Sequence, residues 1–289
     1  MNRRRTRRLF LATSGALAGA GAMRVPFASA AEAYTMRALV RFALGRHAEA
    51  EEDATQAIGL KPDAAEPYGI RTQARFALGR HAEAEEDATQ AIELKLNVPE
   101  VYWIRSSLRL DQGRYAEAEE DATRFVELRP DAAEAYMMRA DARCGLGHNA
   151  EAEEDATWAI ELNPDLAEAY AMRAQARFPL GRYAEAEKDA TRAIELKPGL
   201  AEAYRLRAAA RFGLGQDHAA AALEDLSKYK ELGGELAPEL VGKARNAAGV
   251  PPGPSAAGGP NKADDVGSGL DFISKLFDES TPSEKDMKP

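Results

Sequence analysis

Two charged residues recur along this chain at a spacing that could do chemistry. Arginine stands at Arg37, Arg71, Arg105, Arg139, Arg173 and Arg207. Aspartate stands at Asp53, Asp87, Asp121, Asp155 and Asp189, with Asp225 as the sixth member once an insertion is allowed for. A carboxylate held beside a guanidinium can bind anions or tune a proton, so the pair invites a catalytic reading. The structural reading is stronger. Each arginine is expected to bond the aspartate of the following helix, in its own repeat or a neighbour, fixing register between helices more than adding net stability. A second row (Arg41, Arg75, Arg109, Arg143, Arg177, Arg211) lies one turn on, on the same helical face, within reach of acidic runs such as Glu49–Ala50–Glu51–Glu52. Other reactive groups are few. His47, His81, His148 and His218 fall in or near turns, and none is paired with a nucleophile. Cys144 is the single cysteine and occupies a place held elsewhere by Phe42, Phe76, Leu110, Phe178 and Phe212, so a buried, inert thiol is expected. No phosphate-binding glycine loop and no metal-ligand spacing is present in the sequence, and neither an enzymatic activity nor a cofactor is predicted.

The elements that place these residues repeat with a fixed period. Tyr34, Tyr68, Tyr102, Tyr136, Tyr170 and Tyr204 are 34 residues apart. With Ala31 as position 1, the repeats run 31–64, 65–98, 99–132, 133–166, 167–200 and about 201–236. Each is expected to hold two helices, A and B, because glycine at position 15 (Gly45, Gly79, Gly113, Gly147, Gly181, Gly215) interrupts an otherwise helix-favouring run. Proline at position 32 (Pro62, Pro130, Pro164, Pro198) ends helix B, with Leu96 as the exception. Asp63–Ala–Ala–Glu66, Asp131–Ala–Ala–Glu134, Asp165–Leu–Ala–Glu168 and Asn97–Val–Pro–Glu100 read as capping boxes for the next helix A. Small residues at position 8 (Ala38, Thr72, Ser106, Ala140, Ala174, Ala208) and position 20 (Ala50, Ala84, Ala118, Ala152, Ala186) mark where two helices approach closely.

A period of this length carrying these features together resembles the tetratricopeptide repeat family over residues 31–236. Tyrosine at position 4, arginine at position 7 and aspartate at position 23 depart from the family's common form. The resemblance implies an all-α fold, a right-handed superhelical solenoid of about six helix-turn-helix repeats. It also implies a concave side lined by the A helices, where a protein or peptide partner lies. Positions 5 and 9 differ from copy to copy and are expected to face that groove. The partner-binding residues predicted there are Trp103, Met137, Ser107, Asp111, Asp141, Gln73, Gln175 and Arg205, with an apolar contact around Trp103 and Met137 and an acidic margin. The family's lysine- and asparagine-based carboxylate clamp is absent at these positions, which argues against recognition of a free C-terminal carboxylate.

Charge and termini complete the reading. The chain of 289 residues carries a net charge of −9, which becomes −15 if the first thirty residues, with six arginines and no other charged group, are removed. Such acidity gives no footprint for nucleic acid and is repelled by anionic lipid. Thr6–Arg7–Arg8–Leu9–Phe10–Leu11 closely resembles the twin-arginine export motif, and a modestly apolar stretch from Leu9 to Met23 is followed by Ala28–Ser29–Ala30, a small-residue cleavage site. Residues 1–30 are therefore expected to be a signal removed after Ala30, leaving no stable membrane anchor and a periplasmic or otherwise exported protein. The alternative is an uncleaved N-terminal anchor on the cytoplasmic face. Pro238–Ala248 is read as a capping helix that completes an array over 31–248. Residues 249–289 form a linker-like tail in which Leu270, Ile273, Leu276 and Phe277 share one helical face, a motif (270–277) for docking on another protein or on this protein's own groove. The functional expectation is an exported, non-enzymatic adaptor or assembly scaffold; the alternative is a structural or envelope-associated spacer with no specific peptide ligand.

Overall fold

The computed structural model describes residues 29–235. The segment read as a signal (up to residue 28), the capping helix read over Pro238–Ala248 and the tail with its 270–277 motif lie outside the described residues. Twelve α-helices are present among them, and no strand. They fall in two compact units divided between Gln112 and Gly113. The first unit holds α1 (Ala30–Ala43), α2 (His47–Leu60), α3 (Ala65–Ala77), α4 (His81–Glu93) and α5 (Pro99–Asp111). The second holds α6 (Tyr115–Leu128), α7 (Ala133–Gly145), α8 (Asn149–Leu162), α9 (Ala167–Arg177), α10 (Tyr183–Leu196), α11 (Ala201–Leu214) and α12 (Ala219–Glu231), with a 3-10 turn at Gln216–His218. Odd-numbered helices are the expected A helices and even-numbered ones the B helices. Within each unit successive A helices also touch one another.

Each A helix is stopped as the sequence implied. Gly45 adopts φ +76°, and the turn closes through Gly45 N–H to the Phe42 carbonyl and Arg46 N–H to the Arg41 carbonyl, both at 2.9 Å. This is the paired-bond ending that needs a left-handed residue after the helix. Gly79, Gly113, Gly147 and Gly181 repeat the conformation. Helix α4 shows what happens without the proline at position 32. Lys95 takes the left-handed conformation (φ +69°), with Lys95 and Leu96 N–H bonded to the Ile92 and Ala91 carbonyls. A side-chain-bearing residue accepts that conformation at a cost of about 1 kcal/mol.

The capping boxes do not form. The N-cap of α3, α5, α7 and α9 falls on Ala64, Val98, Ala132 and Leu166, and no side chain there accepts a helix N–H. The loop after the proline is closed by backbone bonds such as Ala64 N–H to the Lys61 carbonyl at 3.2 Å and Ala132 N–H to the Arg129 carbonyl at 3.1 Å. That closure leaves Asp63 and Asp131 one residue too early to cap. The first-turn glutamates still sit favourably at the positive end of each helix, and Glu168 accepts a bond from Lys197 at 2.7 Å. A side-chain cap is found at α1, where Ser29 accepts from Glu32 N–H at 3.3 Å.

The core is a series of thin layers rather than one mass. Ala38, Thr72, Ser106, Ala140 and Ala208 are fully buried, as are Ala50, Ala84, Ala118 and Ala152. Backbones can come this close only because nothing larger than threonine stands at the crossing. The layers between repeats carry a complementarity that is specific to particular neighbours. A Cβ placed on Gly145 would lie 2.3 Å from the Tyr115 ring, and one on Gly213 would lie 2.7 Å from the Tyr183 ring. Tyrosine at position 17 thus rests on glycine at position 13 of the next repeat. Where position 17 is His47, position 13 of the next repeat is Ala77. The contacting atoms belong to a rigid ring, so Gly145→Ala should destabilise the second unit by about 1–3 kcal/mol. Adding Tyr115→His recreates the His47/Ala77 combination and should restore most of the loss, read by chemical denaturation.

Candidate functional site

The recurrent arginines and aspartates come together. Arg37, Arg71, Arg139, Arg173 and Arg207 each make two bonds to the aspartate of their own repeat. Arg71 reaches Asp87 at 2.8 and 2.7 Å, and Arg139 reaches Asp155 at 2.9 and 2.7 Å. Asp225 receives Arg207 in the same manner, because the two extra residues are absorbed in the turn at Gln216–His218. The second arginine row joins the same carboxylates. Arg75 lies 2.8 Å from Asp87, Arg143 2.7 Å from Asp155, Arg177 2.6 Å from Asp189 and Arg211 2.8 Å from Asp225. All five of these aspartates (53, 87, 155, 189 and 225) are buried.

These arginines also reach backwards along the chain. Arg75 contacts Glu51 of the preceding B helix at 2.9 Å, Arg143 contacts Glu119 at 2.7 Å, Arg177 contacts Glu153 at 2.8 Å and Arg211 contacts Glu187 at 2.7 Å. Arg80 and Arg182, which open B helices, meet the same glutamates, Glu51 and Glu153. His148 stands at that place in the fourth repeat, 3.9 Å from Glu119. Hydrogen bonds from Arg37 hold the Asp53 carboxyl below the usual carboxylate range, against the upward pull of burial. The bonds to Asp155, Asp189 and Asp225 raise the basicity of Arg139, Arg173 and Arg207.

The network binds each of these carboxylates several times over. In Asp155 both oxygens accept from Arg139, and Oδ2 accepts from Arg143 as well. A carboxylate gripped by two guanidiniums from the facing helix serves as a clasp between helices. Cys144 packs against the Ala140, Ala152 and Ala176 layer, and burial, with Asp141 adding to it, pushes its thiol up to about 12, far from a reactive thiolate. His47 packs on Phe42 with ring centroids 5.1 Å apart, and burial lowers its pKa. Among the described residues, no group of three His, Cys, Asp or Glu is placed to hold a metal ion.

The predicted groove residues are scattered in role. Trp103 does not project as a lone anchor. It is half-buried, edge-to-face with Phe76 at 5.5 Å, and packs on the layer of Ala84, Ile104 and Leu108. Met137 lies in the second unit against Ala133, Ala159, Ile160 and Ala169, so no single unit joins it to Trp103. Ser107 is buried; Arg205 is 3 % exposed and bonds Glu202 on its own helix. Gln73 and Gln175 are half-buried, while Asp111 and Asp141 are exposed. Position 5 proves constrained by the scaffold. A Cβ on Gly69 would meet Leu96 at 2.5 Å, and Ala171 is buried in the layer with Leu206. The side chain at this position faces neighbouring residues of the array, so variation there compensates neighbours instead of marking free surface. Ala30 is the first residue of α1, directly after its N-cap.

One exposed aromatic was missed. Trp158 on α8 is 54 % exposed, stacks on Tyr136 at 6.3 Å, and stands one turn from the exposed Leu162. Its position reads Gln56, Gln90, Arg124, Trp158 and Arg192 in successive repeats, so comparing the copies along helix B as well as helix A finds it.

Removing the clasp should show its structural role. Asp155→Leu leaves Arg139 without its carboxylate and Arg143 with Glu119 and the Glu151 carbonyl, which should cost about 3–5 kcal/mol. Arg139→Met together with Asp155→Leu should recover much of that loss in urea denaturation. A double mutant as unstable as the single one would overturn the clasp.

Known proteins share this architecture. Two models described as tetratricopeptide repeat match the sequence, one over residues 31–64 and the other over 71–133, 105–144 and 137–201. The crystal structure of YrrB, a tetratricopeptide repeat protein with an unusual peptide-binding site, is similar with a TM-score of 0.56 at 18% identity, over 59% of this chain and 88% of that one. MamA from Desulfovibrio magneticus RS-1 is similar with a TM-score of 0.53 at 18% identity, over 60% and 97%. A further MamA structure gives 0.51 at 23%, over 58% and 91%. At these identities the likeness speaks of the fold. No curated protein matches the sequence. With the family models spanning more than half of its length, and helix pairs of the expected pattern throughout the described residues, the chain belongs to the tetratricopeptide repeat family.

Proposed function

We propose that the chain is an exported, non-enzymatic adaptor or assembly scaffold that holds another protein or a peptide against its A-helix side. The observation that carries this reading is the contrast between a charge network used up in holding helices together and an A-helix position left to vary. Position 9 reads Leu39, Gln73, Ser107, Asp141, Gln175 and Ala209. Of these, Leu39 and Asp141 are exposed and Gln73 and Gln175 half-buried, which leaves polar and apolar groups for a partner to read. The peptide-binding site named for YrrB lends support from a protein of the same fold.

A photo-crosslinking residue at Asp141 or Gln175 should trap a defined partner in the exported fraction of the native host. The same residue at Glu154, exposed on helix α8, should trap none. Equal capture at all three positions would move the partner surface away from the A helices and overturn the reading. Export rests on Arg7 and Arg8 within the twin-arginine-like motif. Arg7→Lys with Arg8→Lys should abolish appearance of the shortened chain outside the cytoplasm, followed by immunoblot of fractionated cells. Unchanged export would point to another route.

A further inference from the structure

Helix α1 turns outward a face that its counterparts bury. In later repeats, positions 3, 6 and 10 of the A helix pack on the B helix immediately before it in the chain. Val101, Ile104 and Leu108 of α5 are at most 2 % exposed and meet Ala84, Ala88 and Ala91 of α4. Ala203, Leu206 and Ala210 of α11 share a layer with Ala186, Ala190 and Ala193 of α10. In α1 the same positions are Ala33, Met36 and Val40. Met36 is 43 % exposed and Val40 47 %. With Ala30, Tyr34 and Arg37 they line an open depression of about 520 Å³. Among the described residues, no helix lies on this face.

Three arginines beside it lack acceptors that later repeats receive. Arg71, Arg105 and Arg173 each donate Nη1 to a threonine of the preceding B helix, at 3.1, 3.2 and 3.4 Å. Arg37 bonds Asp53 through Nε and Nη2, and its side chain is 54 % exposed where that of Arg71 is 13 % exposed. Nε of Arg75, Arg143, Arg177 and Arg211 donates to a glutamate of the preceding B helix. Arg41 holds Asp53 and Glu49 through its Nη atoms, and its Nε meets no acceptor among the described residues. Arg46 pairs with Glu49 of its own helix, whereas Arg80 and Arg182 also hold Glu51 and Glu153 of the preceding one.

The B helices that cover the equivalent faces show what chemistry fits. In α4 a glutamate, Glu85, is followed four residues later by Thr89, so both lie on one helical face, flanked by the small residues Ala84, Ala88 and Ala91. Such a helix offers a carboxylate and a hydroxyl to the arginines while its alanines admit the larger apolar side chains. Helix α12, the last B helix described, departs from this pattern. Leu223 stands in the place of the glutamate and Tyr229 in that of an alanine, so a second copy adding end to end through α12 brings no carboxylate. We propose that the Ala33–Met36–Val40 face of α1 docks an acidic, alanine-rich helix of another protein, packed as the B half of a repeat. Its carboxylate meets Arg41 and Arg46, and its hydroxyl meets Arg37. The surface is separate from the variable position 9 of the A helices and does not rest on export.

The probe is a labelled synthetic peptide with the sequence of residues 81–94, stapled between positions 82 and 86, which are exposed in α4. It should bind the full chain saturably in fluorescence anisotropy titrations. Glu85→Lys in the peptide should weaken binding about tenfold, Glu85→Gln should weaken it less, and added salt should weaken it as well. These changes leave the protein's own fold untouched. Met36→Glu with Val40→Glu in the protein, at positions already exposed, should abolish binding while circular dichroism shows the helix content retained. Binding indifferent to Glu85→Lys, or to the Met36 and Val40 pair, would overturn the proposal. Failure of the full chain to bind the peptide would also overturn it. Shielding of Met36→Cys from a soluble maleimide would then assign the face to this chain's own residues, and shielding that grows with protein concentration would assign it to a second copy. Cys144, buried and weakly acidic, gives little background.

Discussion

The array depends on a buried carboxylate held by two guanidiniums. Asp87, for example, is 4 % exposed and accepts bonds from Arg71 and Arg75. A buried carboxylate is costly unless its oxygens are bonded, and two arginines one helical turn apart meet that need. The requirement dictates the geometry around it. The A helix must present both arginines toward the B helix, so the two helices must cross closely, and only alanine, serine or threonine fits at the crossing. The glycine stop then has to come at a fixed distance after the arginines. The sixth repeat shows which of these constraints ranks highest. Two extra residues are inserted before α12, and the turn is rebuilt, yet Arg207 and Arg211 still meet Asp225.

Coupling between repeats uses the same arginines differently. Arg75 bonds its own Asp87 and also Glu51 of the preceding repeat, so one guanidinium senses both register within a pair and stacking between pairs. Arg71 adds a bond to Thr55 at 3.1 Å and Arg105 one to Thr89 at 3.2 Å. Partly buried bonds of this kind contribute modestly to net stability, and their directional geometry ties one repeat to the next. The tyrosine-on-glycine contacts make particular neighbours non-interchangeable. Repeats that look like copies are therefore each matched to the particular repeat stacked next in the chain.

Much of this was legible in the sequence because it recurs. The glycine stops, the small residues at the crossing, the Arg–Asp pairing and the place of Asp225 could be read from periodicity alone. What failed was local geometry at a resolution of one residue. Asp63 and Glu66 have capping-box spacing, but the turn after Pro62 puts Ala64 at the cap. The candidate site was harder, because variation among copies has two physical causes. Gly69 differs from Trp103 since Leu96 fills the space beside it, while Trp103 fills space beside Phe76. A variable position can thus be a compensated contact as readily as a free surface, and only packing separates the two. Trp158 escaped notice on the same account: it varies too, on a helix whose neighbours look uniformly structural.

The distribution of charge has the same origin. The arginines in the two recurring rows face carboxylates inside the array. Glutamates on the opposite face of the B helices, Glu52 and Glu86 in the first unit and Glu120 and Glu154 in the second, are exposed. Among the described residues, these glutamates are displayed at the surface while the arginines of the two rows are paired with carboxylates. An anionic polymer or an anionic lipid surface would meet repulsion there. A partner must then be neutral or basic where it touches the B helices, or approach from the A side, where the residues that vary are mostly uncharged. Position 9 offers Leu39, Gln73 and Gln175 beside the single acid Asp141. Recognition on that side would rest on shape and hydrogen bonding more than on net charge, and so should depend little on salt.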